Sequence, residues 1–192
     1  WDDERIHLSN NQQLIKGDLK SFWLKHYSGM YIPVTYSTWG FINTISDPNK
    51  KISPKIFHAL NVLTHTINCI LVFCLLLILF TNQAHAFFGS VLFLLHPMQV
   101  ESVAWISEFR GLYSAFFSLL ALISIFRYLE KNAIVTFRLF ITSKYFIIAS
   151  VLFALGLLSK PSAVVLPFVI SILVWCFYKD KFMSLLKGLS LW

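Results

Sequence analysis

Charged residues are scarce in this sequence. Of its 192 residues, 13% are charged and 57% are hydrophobic, whereas an ordinary soluble domain carries about 25% charged residues. The apolar residues fall in long runs, and runs of that length are typical of membrane spans. The composition therefore excludes an ordinary soluble domain and predicts an all-α fold, a polytopic integral membrane helical bundle embedded in the lipid bilayer.

Cysteine is also rare, and no initiator methionine or signal peptide opens the chain. Cys69, Cys74 and Cys176 lie inside apolar runs without CxxC or metal-ligand spacing, so we interpret them as small buried hydrophobic residues.

A chain that needs membrane insertion but begins at Trp1 without a leader is expected to be a fragment. We expect at least one further span before Trp1 and more chain after Trp192.

The apolar residues divide the chain into two regions. Residues 1–54 are polar and rich in turn signals, which predicts a non-cytoplasmic first loop with short helices, one of them near Leu19–Leu24. Residues 55–192 predict the transmembrane helical bundle, with about five spans. The apolar stretches that would form the spans are Pro54–Phe80, His85–Leu95, Leu112–Leu129 and the two parts of Tyr145–Tyr178 on either side of a break at 159–162.

The second apolar stretch, His85–Leu95, is too short for a simple span. A straight crossing takes about 20 residues, and this stretch ends at His96-Pro97. The helix must therefore use flanking residues, or the segment beyond it must dip toward the membrane.

The net charge of +7 does not indicate nucleic-acid binding, because the basic residues are dispersed and mostly flank apolar segments. Two clusters, one after the third span and one after the fifth, face the cytoplasm by the positive-inside rule. Alternation then places residues 1–54, residues 96–111 and the turn at Lys160 together on the opposite, non-cytoplasmic face. The clusters consist of Arg127, Lys131, Arg138 and Lys144, and of Lys179, Lys181 and Lys187.

Polar residues in or beside the apolar runs form the first two candidate sites. Asp2-Asp3-Glu4 could hold a divalent cation or supply a general base, or it could be a solvated acidic turn. His58, Asn61, His65 and Asn68 lie within about 80° of arc on one helical face. This stripe would either make hydrogen bonds between helices or line a substrate cavity. A zinc pair is not predicted, because the two histidines lie two turns apart rather than one.

Charged residues between the spans form the other two candidate sites. The segment from His96 to Arg110 holds two acids, more charge than a structural connector needs. Glu101, Trp105 and Glu108 are spaced for one face of a short amphipathic helix, with Trp105 at the membrane interface. Lys160, at the break between two spans, would either extend toward the lipid headgroups or neutralise a phosphate.

These residues make the sequence similar to a known family. It resembles the membrane-embedded half of the tetratricopeptide-repeat transmembrane O-mannosyltransferases and their bacterial relatives, which belong to the GT-C class of glycosyltransferases. The likeness covers nearly the whole chain in the right order, and the block that begins HPMQVE is its most specific part. The matching stretches are Trp1–Asp3, Tyr31–Thr35, Phe57–Asn61 with His65 and Asn68, His96–Ser114 and Leu158–Pro167.

The resemblance implies a GT-C-like bundle and an inverting sugar transfer. The sugar, commonly mannose, would move from a polyprenyl phosphate to an acceptor hydroxyl on protein, at the non-cytoplasmic face of a bacterial or archaeal cell membrane or of the endoplasmic reticulum. Asp2 or Asp3 would match the catalytic acid of the first loop and Glu101 that of the second. Asp3 and Glu101 would be the ligands of any divalent cation, Mg²⁺ or Mn²⁺. The predicted substrate-binding residues are His58, His65, His96, Glu108, Arg110 and Lys160, of which Arg110 and Lys160 would hold the lipid phosphate.

Two departures from the family keep other functions open. Gly111 stands where many relatives carry Asp or Asn, so the role of that carboxylate is lost or has moved to Glu101 or Glu108. The tetratricopeptide repeats that would present a protein acceptor are absent from this chain. A non-catalytic membrane subunit or scaffold is the main alternative, and a transporter lined by the histidine and asparagine stripe is the second.

Three structural outcomes would separate these functions. A cleft that joins Asp3 to Glu101 and opens sideways to lipid would favour the transferase. A path past His58 and His65 would favour transport. A filled interface would favour the scaffold.

Overall fold

The structure, a computed structural model, describes residues 19–26, 29–46 and 54–192. Helices fill most of these ranges, and none of them contains a β-strand. The prediction of an all-α fold is therefore confirmed for the described residues. Asp2 and Asp3 lie outside them.

Ten α-helices and three short 3₁₀ helices make up the described ranges. The 3₁₀ helices are Ile106–Glu108, Pro161–Val165 and Lys179–Lys181. The α-helices are α1 (Leu19–Leu24), α2 (Pro33–Ser46), α3 (Pro54–Phe80), α4 (Gln83–Leu95), α5 (Met98–Ala104), α6 (Phe109–Lys131), α7 (Phe137–Ile141), α8 (Lys144–Ser159), α9 (Leu166–Phe177) and α10 (Phe182–Leu189).

Helices α3 and α4 form a tight antiparallel hairpin. The 27 residues of α3 span about 40 Å at 1.5 Å per residue, which is enough to cross a bilayer. The chain turns at Thr81, which has a positive φ of 55°. Asn82 then caps α4, because its Oδ1 accepts hydrogen bonds from the backbone N–H groups of Ala84 and His85 at 2.9 and 3.2 Å. The predicted bounds of the first span are confirmed.

The short second stretch bends instead of crossing straight. Helices α4 and α5 meet at an angle of 61° across His96-Pro97. His96 takes an extended backbone conformation, which the following proline favours. The pair is one broken span or a re-entrant segment, as the short apolar stretch predicted.

The described part of the chain is that of a membrane protein. Two helical segments, Pro54–Phe80 and Ile106–Lys131, are long and apolar enough to cross a membrane, and the number is three if the bent pair α4–α5 is one broken span. The apolar segments Lys144–Ser159 and Pro161–Phe177 are shorter. The break between them lies where the sequence predicted it.

Helix α6 lies at the centre of the bundle. It packs along α3 on one side and α8 on the other, and α4 packs on α3. Large apolar side chains remain exposed on the outer helices, a surface that suits lipid and not water. Examples are Phe88 and Leu92 on α4, at 65% and 71% exposure, and Phe168 and Ile172 on α9, at 71% and 63%.

An aromatic core, separate from the apolar contacts among α3, α6 and α8, fixes α1 and α2 to one end of this bundle. Trp39 of α2 contacts Phe57 at the start of α3 and Phe109 at the start of α6, with ring centroids 6.2 Å apart in both pairs. Thr35 also donates a hydrogen bond to the carbonyl oxygen of Ser159, at the end of α8, over 3.1 Å. The part of the first loop that the structure describes therefore covers the end of the bundle where α3 and α6 begin and α8 ends.

Candidate functional site

Three polar segments meet at the covered end of the bundle. Arg110 donates from Nη1 to the Sδ atom of Met30 at 3.1 Å, which joins the first loop to the segment between α5 and α6. Lys160 donates from Nζ to Glu108 Oε2 at 2.8 Å, which joins that segment to the turn after α8. For the described residues, the predicted convergence of these three segments is confirmed.

Glu108, Arg110 and Lys160 form an ionic cluster at this end. Glu108 Oε1 lies 3.0 Å from Arg110 Nη2, and its Oε2 lies 2.8 Å from Lys160 Nζ. The side chains are 14%, 17% and 31% exposed, respectively. Two cations and one carboxylate leave one positive charge in excess, partly shielded from water, where it interacts more strongly with an anion than it would in bulk solvent.

Local backbone structure brings the cluster together. Glu108 ends a 3₁₀ turn directly before α6, and Arg110 follows in the first turn of that helix. Lys160 leaves the helical conformation after α8, with φ −155° and ψ 124°, as a residue before proline commonly does. The Arg110 guanidinium also lies over the Trp105 ring, 5.9 Å from its centroid, so stacking and the Met30 contact both restrict its position.

Gly111 lies against this cluster, and a side chain there would require the ends of the Glu108 and Lys160 side chains to move. A Cβ atom there would lie 2.8 Å from Glu108 Oε2 and 3.3 Å from Lys160 Nζ. An alanine or aspartate at this position would therefore displace the Glu108–Lys160 ion pair.

An apolar groove of about 310 Å³ runs from Gly111 along α6. Its floor is a line of small residues on α6, and its walls come from α4 and from the segment after Lys160. Val165 and Val169 are exposed at 56% and 39%, so the groove opens on the outer surface of the bundle. The lining residues are Phe93, Gly111, Ser114, Ala115, Ser118, Leu119, Leu122, Ser162, Ala163, Val165, Leu166 and Val169.

A second cavity, the histidine cleft, lies between α3, α4 and α5 and has a volume of about 380 Å³. His65 is 6% exposed, and its Nδ1 has no hydrogen-bond partner among the described residues. His96 Nδ1 accepts the backbone N–H of Met98 at 3.2 Å. The cleft is lined by His58, His65, Leu94, Leu95, His96, Gln99, Val100, Val103 and Ala104. The predicted substrate-binding residues therefore divide between this cleft and the ionic cluster.

The two asparagines of the polar stripe have a structural role. Asn61 donates from Nδ2 to the carbonyl oxygens of Val103 and Trp105 at 3.2 and 2.8 Å. Asn68 donates to the carbonyl oxygen of Leu112 at 2.9 Å. The asparagines thus make hydrogen bonds between helices, and His65 Nε2 also lies 3.4 Å from the carbonyl oxygen of Leu94 on α4. The hydrogen-bonding interpretation of the stripe is therefore confirmed for these three residues, and a substrate in the cavity that the histidines line stays a prediction.

Glu101 does not join the ionic cluster. It is exposed on α5, which ends at Ala104, and Trp105 is extended with φ −84° and ψ 114°. The predicted single amphipathic helix through Glu101, Trp105 and Glu108 is therefore wrong. Asn61 binds the two carbonyl groups that flank Ala104, and this holds the chain in its non-helical path.

The predicted metal site has one described residue. Asp2 and Asp3 lie outside the described ranges, and within these ranges no group of three or more His, Cys, Asp or Glu residues could hold a metal ion. Glu101 alone supplies too few of the six oxygen ligands that Mg²⁺ prefers. The site for Mg²⁺ or Mn²⁺ therefore stays a prediction.

Apart from Gly111, the residues that line the apolar groove were not singled out from the sequence. Gly111, Ser114, Ala115 and Ser118 are small residues spaced i, i+3, i+4 and i+7 on α6. This spacing puts them on one helical face, and a face of small residues in a membrane helix allows close approach of another apolar surface. That pattern could have predicted the groove.

Comparisons with protein-family models, with curated proteins and with solved structures find no match for this chain. The resemblance to the GT-C class therefore stays a prediction. What the chain does must be inferred from the ionic cluster, the apolar groove and the histidine cleft.

Proposed function

We propose that the chain is the membrane part of a GT-C-like glycosyltransferase, which moves a sugar, commonly mannose, from a polyprenyl phosphate to an acceptor hydroxyl on protein. One observation carries this proposal. The apolar groove ends at Gly111, directly beside the ionic cluster. A ligand that fits both has a long apolar tail and an anionic head, which is the chemistry of a polyprenyl-phosphate donor.

The groove suits the lipid tail. Gly111 and Leu122 mark its extent on α6, and the eleven helical steps from one to the other correspond to about 16 Å of helix. Its lining is mostly apolar, and its volume of about 310 Å³ lies at the lower end of the range for ligand pockets. The rest of a long polyprenyl chain would lie in the surrounding bilayer.

The ionic cluster suits the phosphate. Arg110 and Lys160 provide charge-assisted hydrogen bonds to phosphate oxygens. The charge that must be stabilised in the transition state develops on the phosphate as it leaves the sugar, so preformed cations at this place lower the barrier. The aromatic core, which includes Phe109, and the hydrogen bond from Thr35 to Ser159 position the backbone segments that carry Arg110 and Lys160.

The proposed reaction needs one more group, a base. The acceptor oxygen forms a bond to the anomeric carbon from the face opposite the phosphate, and the carbon–oxygen bond to the phosphate breaks with both electrons going to the polyprenyl phosphate. A carboxylate takes the proton of the acceptor hydroxyl. Asp2, Asp3 and Glu101 remain the candidates, and Glu101 lies at the end of the bundle where α6 begins.

We assign the acceptor side to the histidine cleft. His58, His65 and Gln99 offer hydrogen-bond donors and acceptors without a carboxylate or a lysine in the lining. Such a lining suits an uncharged group with a hydroxyl, and not a second phosphate.

We further propose about five spans, with the ionic cluster on the non-cytoplasmic face. These spans are α3, the bent α4–α5 pair, α6, α8 and α9. Lys131 and Lys144 lie at the opposite ends of α6 and α8 from Arg110 and Lys160. The basic clusters and the proposed site are thus at opposite ends of the same helices.

The test is transfer of radiolabelled mannose from polyprenyl-phosphate mannose by the protein in membranes. We expect Lys160→Met to lower kcat/KM by about 100-fold, because one stabilising donor is lost. Ala115→Phe, which fills the groove, should raise KM for the donor, whereas Val164→Phe, at a neighbouring exposed position outside the groove, should not. Asp3→Asn and Glu101→Gln test the base.

Two results would contradict the proposal. Absence of transfer from every polyprenyl donor, with the protein well expressed, would favour a non-catalytic subunit. Equal transfer by wild type and Lys160→Met would show that the ionic cluster is not part of the site.

A further inference from the structure

The two cations of the ionic cluster are already paired with an anion of the protein. Glu108 Oε1 accepts hydrogen bonds from Arg110 Nε and Nη2 at 3.2 and 3.0 Å, and Glu108 Oε2 accepts one from Lys160 Nζ at 2.8 Å. One carboxylate thus bridges both cations with its two oxygens. The phosphodiester of a polyprenyl-phosphate sugar presents two non-bridging oxygens that share one negative charge, and the monophosphate product presents three, so either group would make the same contacts.

We infer that Glu108 is a displaceable stand-in for the phosphate head of a lipid. It holds Arg110 and Lys160 while the donor is absent, gives way when a phosphate enters, and returns to release the polyprenyl-phosphate product. This inference rests on the proposed function and makes Glu108 a positioning residue, separate from the acids proposed as the base.

The hydrogen-bond capacity of the two cations supports an exchange. Among the described residues, Glu108 is the only acceptor seen for Lys160 Nζ, whereas an ammonium group has three donors. Arg110 Nη1 points to the thioether of Met30, which is a weak acceptor. A phosphate would satisfy these donors better than the carboxylate does.

The position of Gly111 supports the path of the exchange. Gly111 lines the apolar groove and also lies against Glu108 Oε2 and Lys160 Nζ. A lipid head that comes from the groove therefore meets the Glu108–Lys160 pair first. Lys160 is the most exposed member of the cluster, at 31%, so its side chain can turn toward the entering phosphate.

The experiment measures binding of radiolabelled polyprenyl monophosphate to the protein in phosphatidylcholine nanodiscs, which lack competing anionic lipids. We expect Glu108→Gln to bind about tenfold more tightly than wild type, because the apparent affinity is no longer reduced by the fraction of sites that the carboxylate occupies. Glu130→Gln is the matched control. Glu130 also pairs with an arginine of α6, Arg127, over 2.8 Å, but this pair lies at the opposite end of the helix. The Glu130→Gln variant should therefore bind the lipid as the wild type does.

Steady-state kinetics are a second measurement, and they would not change in the expected way if Glu108 had only a structural role. With the mannosyl donor, Glu108→Gln should lower KM and kcat together, because both donor and product leave more slowly. Glu108→Ala should shift the binding in the same direction as Glu108→Gln, so the inference does not depend on how one variant folds.

The outcomes separate the two proposals. If wild type, Glu108→Gln and Glu108→Ala all fail to bind the lipid, the proposed function is wrong. If wild type binds it and both Glu108 variants bind equally or more weakly, the proposed function stands and the stand-in role is wrong. In a separate experiment, Glu108→Gln is tested for binding of inorganic phosphate. If it binds inorganic phosphate as tightly as the lipid, the two cations recognise a soluble anion, and the assignment of a lipid phosphate to them is wrong.

Discussion

Gly111 is the residue at which the chain departs from the family that it resembles. The resemblance places an Asp or Asn there, and the sequence left open whether Glu101 or Glu108 had taken over its carboxylate. A Cβ at residue 111 would lie 2.8 Å from Glu108 Oε2, and Glu101 lies apart on α5. Glu108, from the preceding turn, thus brings a carboxylate close to the point that a side chain at residue 111 would occupy, and Glu101 does not.

Gly111→Ala should disrupt the ionic cluster. The added methyl group would be too close to Glu108 Oε2, so the carboxylate must move away from Lys160. Because the nearest atoms are the ends of flexible side chains, we expect little loss of stability, and the freed Lys160 should bind polyprenyl monophosphate more tightly than in the wild type. Gly156→Ala is the matched control, because its Cβ would lie 3.5 Å from that of Ala163, an ordinary contact. Thermal unfolding in detergent and lipid binding would both be measured. Equal behaviour of the two variants would contradict the close packing at Gly111.

Asn61→Ala should destabilise the segment that leads to the cluster. The change removes the side-chain donor of the carbonyl oxygens of the half-buried Val103 and Trp105, while the Trp105 carbonyl keeps the backbone N–H of Glu108, so we expect a loss of about 1 kcal/mol. Thr66→Ala is the control, because the exposed Thr66 hydroxyl bonds only within α3, to Val62 O at 2.9 Å. Limited proteolysis between α5 and α6 should increase in Asn61→Ala alone. No increase would show that the bend at Trp105 does not depend on Asn61.

At the scale of elements, helix α6 is held at both ends by charged side chains. Its first turn carries Arg110, and at its last turn Lys181 Nζ donates to the carbonyl oxygens of Leu129 and Asn132 at 2.7 and 2.6 Å. A cation at this end also interacts favourably with the helix dipole. Lys181 thereby joins the segment before α10 to the end of α6.

Lys181→Met should loosen this end of the bundle. It keeps most of the apolar stem and removes the cap, so we expect a loss of about 1–2 kcal/mol. Lys187→Met, an exposed lysine on α10, should change stability little. The measurement is the Tm of thermal unfolding of the two variants in the same detergent. A Tm for Lys187→Met as low as that for Lys181→Met would rule out a capping role for Lys181.

Sequence patterns predicted those elements that local chemistry determines. The bounds of α3 follow from Pro54 and Asn82, and the break after α8 follows from Lys160-Pro161. The break at Trp105 could not be predicted in this way, because it depends on Asn61, more than forty residues earlier in the chain. The Glu108–Lys160 pair likewise joins residues 52 positions apart, so both residues could be predicted as candidates but their contact could not.

At the scale of the whole molecule, the arrangement of spans can be tested with single cysteines. In a variant without Cys69, Cys74 and Cys176, we expect a membrane-impermeant maleimide to label Met98→Cys and Ile134→Cys from opposite sides of sealed vesicles. Both residues are exposed, at 76% and 77%, and α6 separates them. Labelling from the same side would mean that α6 does not cross, and labelling of Met98→Cys from the cytoplasmic side would reverse the proposed orientation.

The apolar groove opens on the outer surface of the bundle, beside the exposed Val165 and Val169. A ligand with a long hydrocarbon tail therefore reaches it by lateral diffusion within the bilayer and not from water. Its occupancy depends on its mole fraction among the lipids, a two-dimensional concentration. Diluting vesicles with buffer should leave occupancy unchanged, whereas fusing them with vesicles of neutral lipid should lower it.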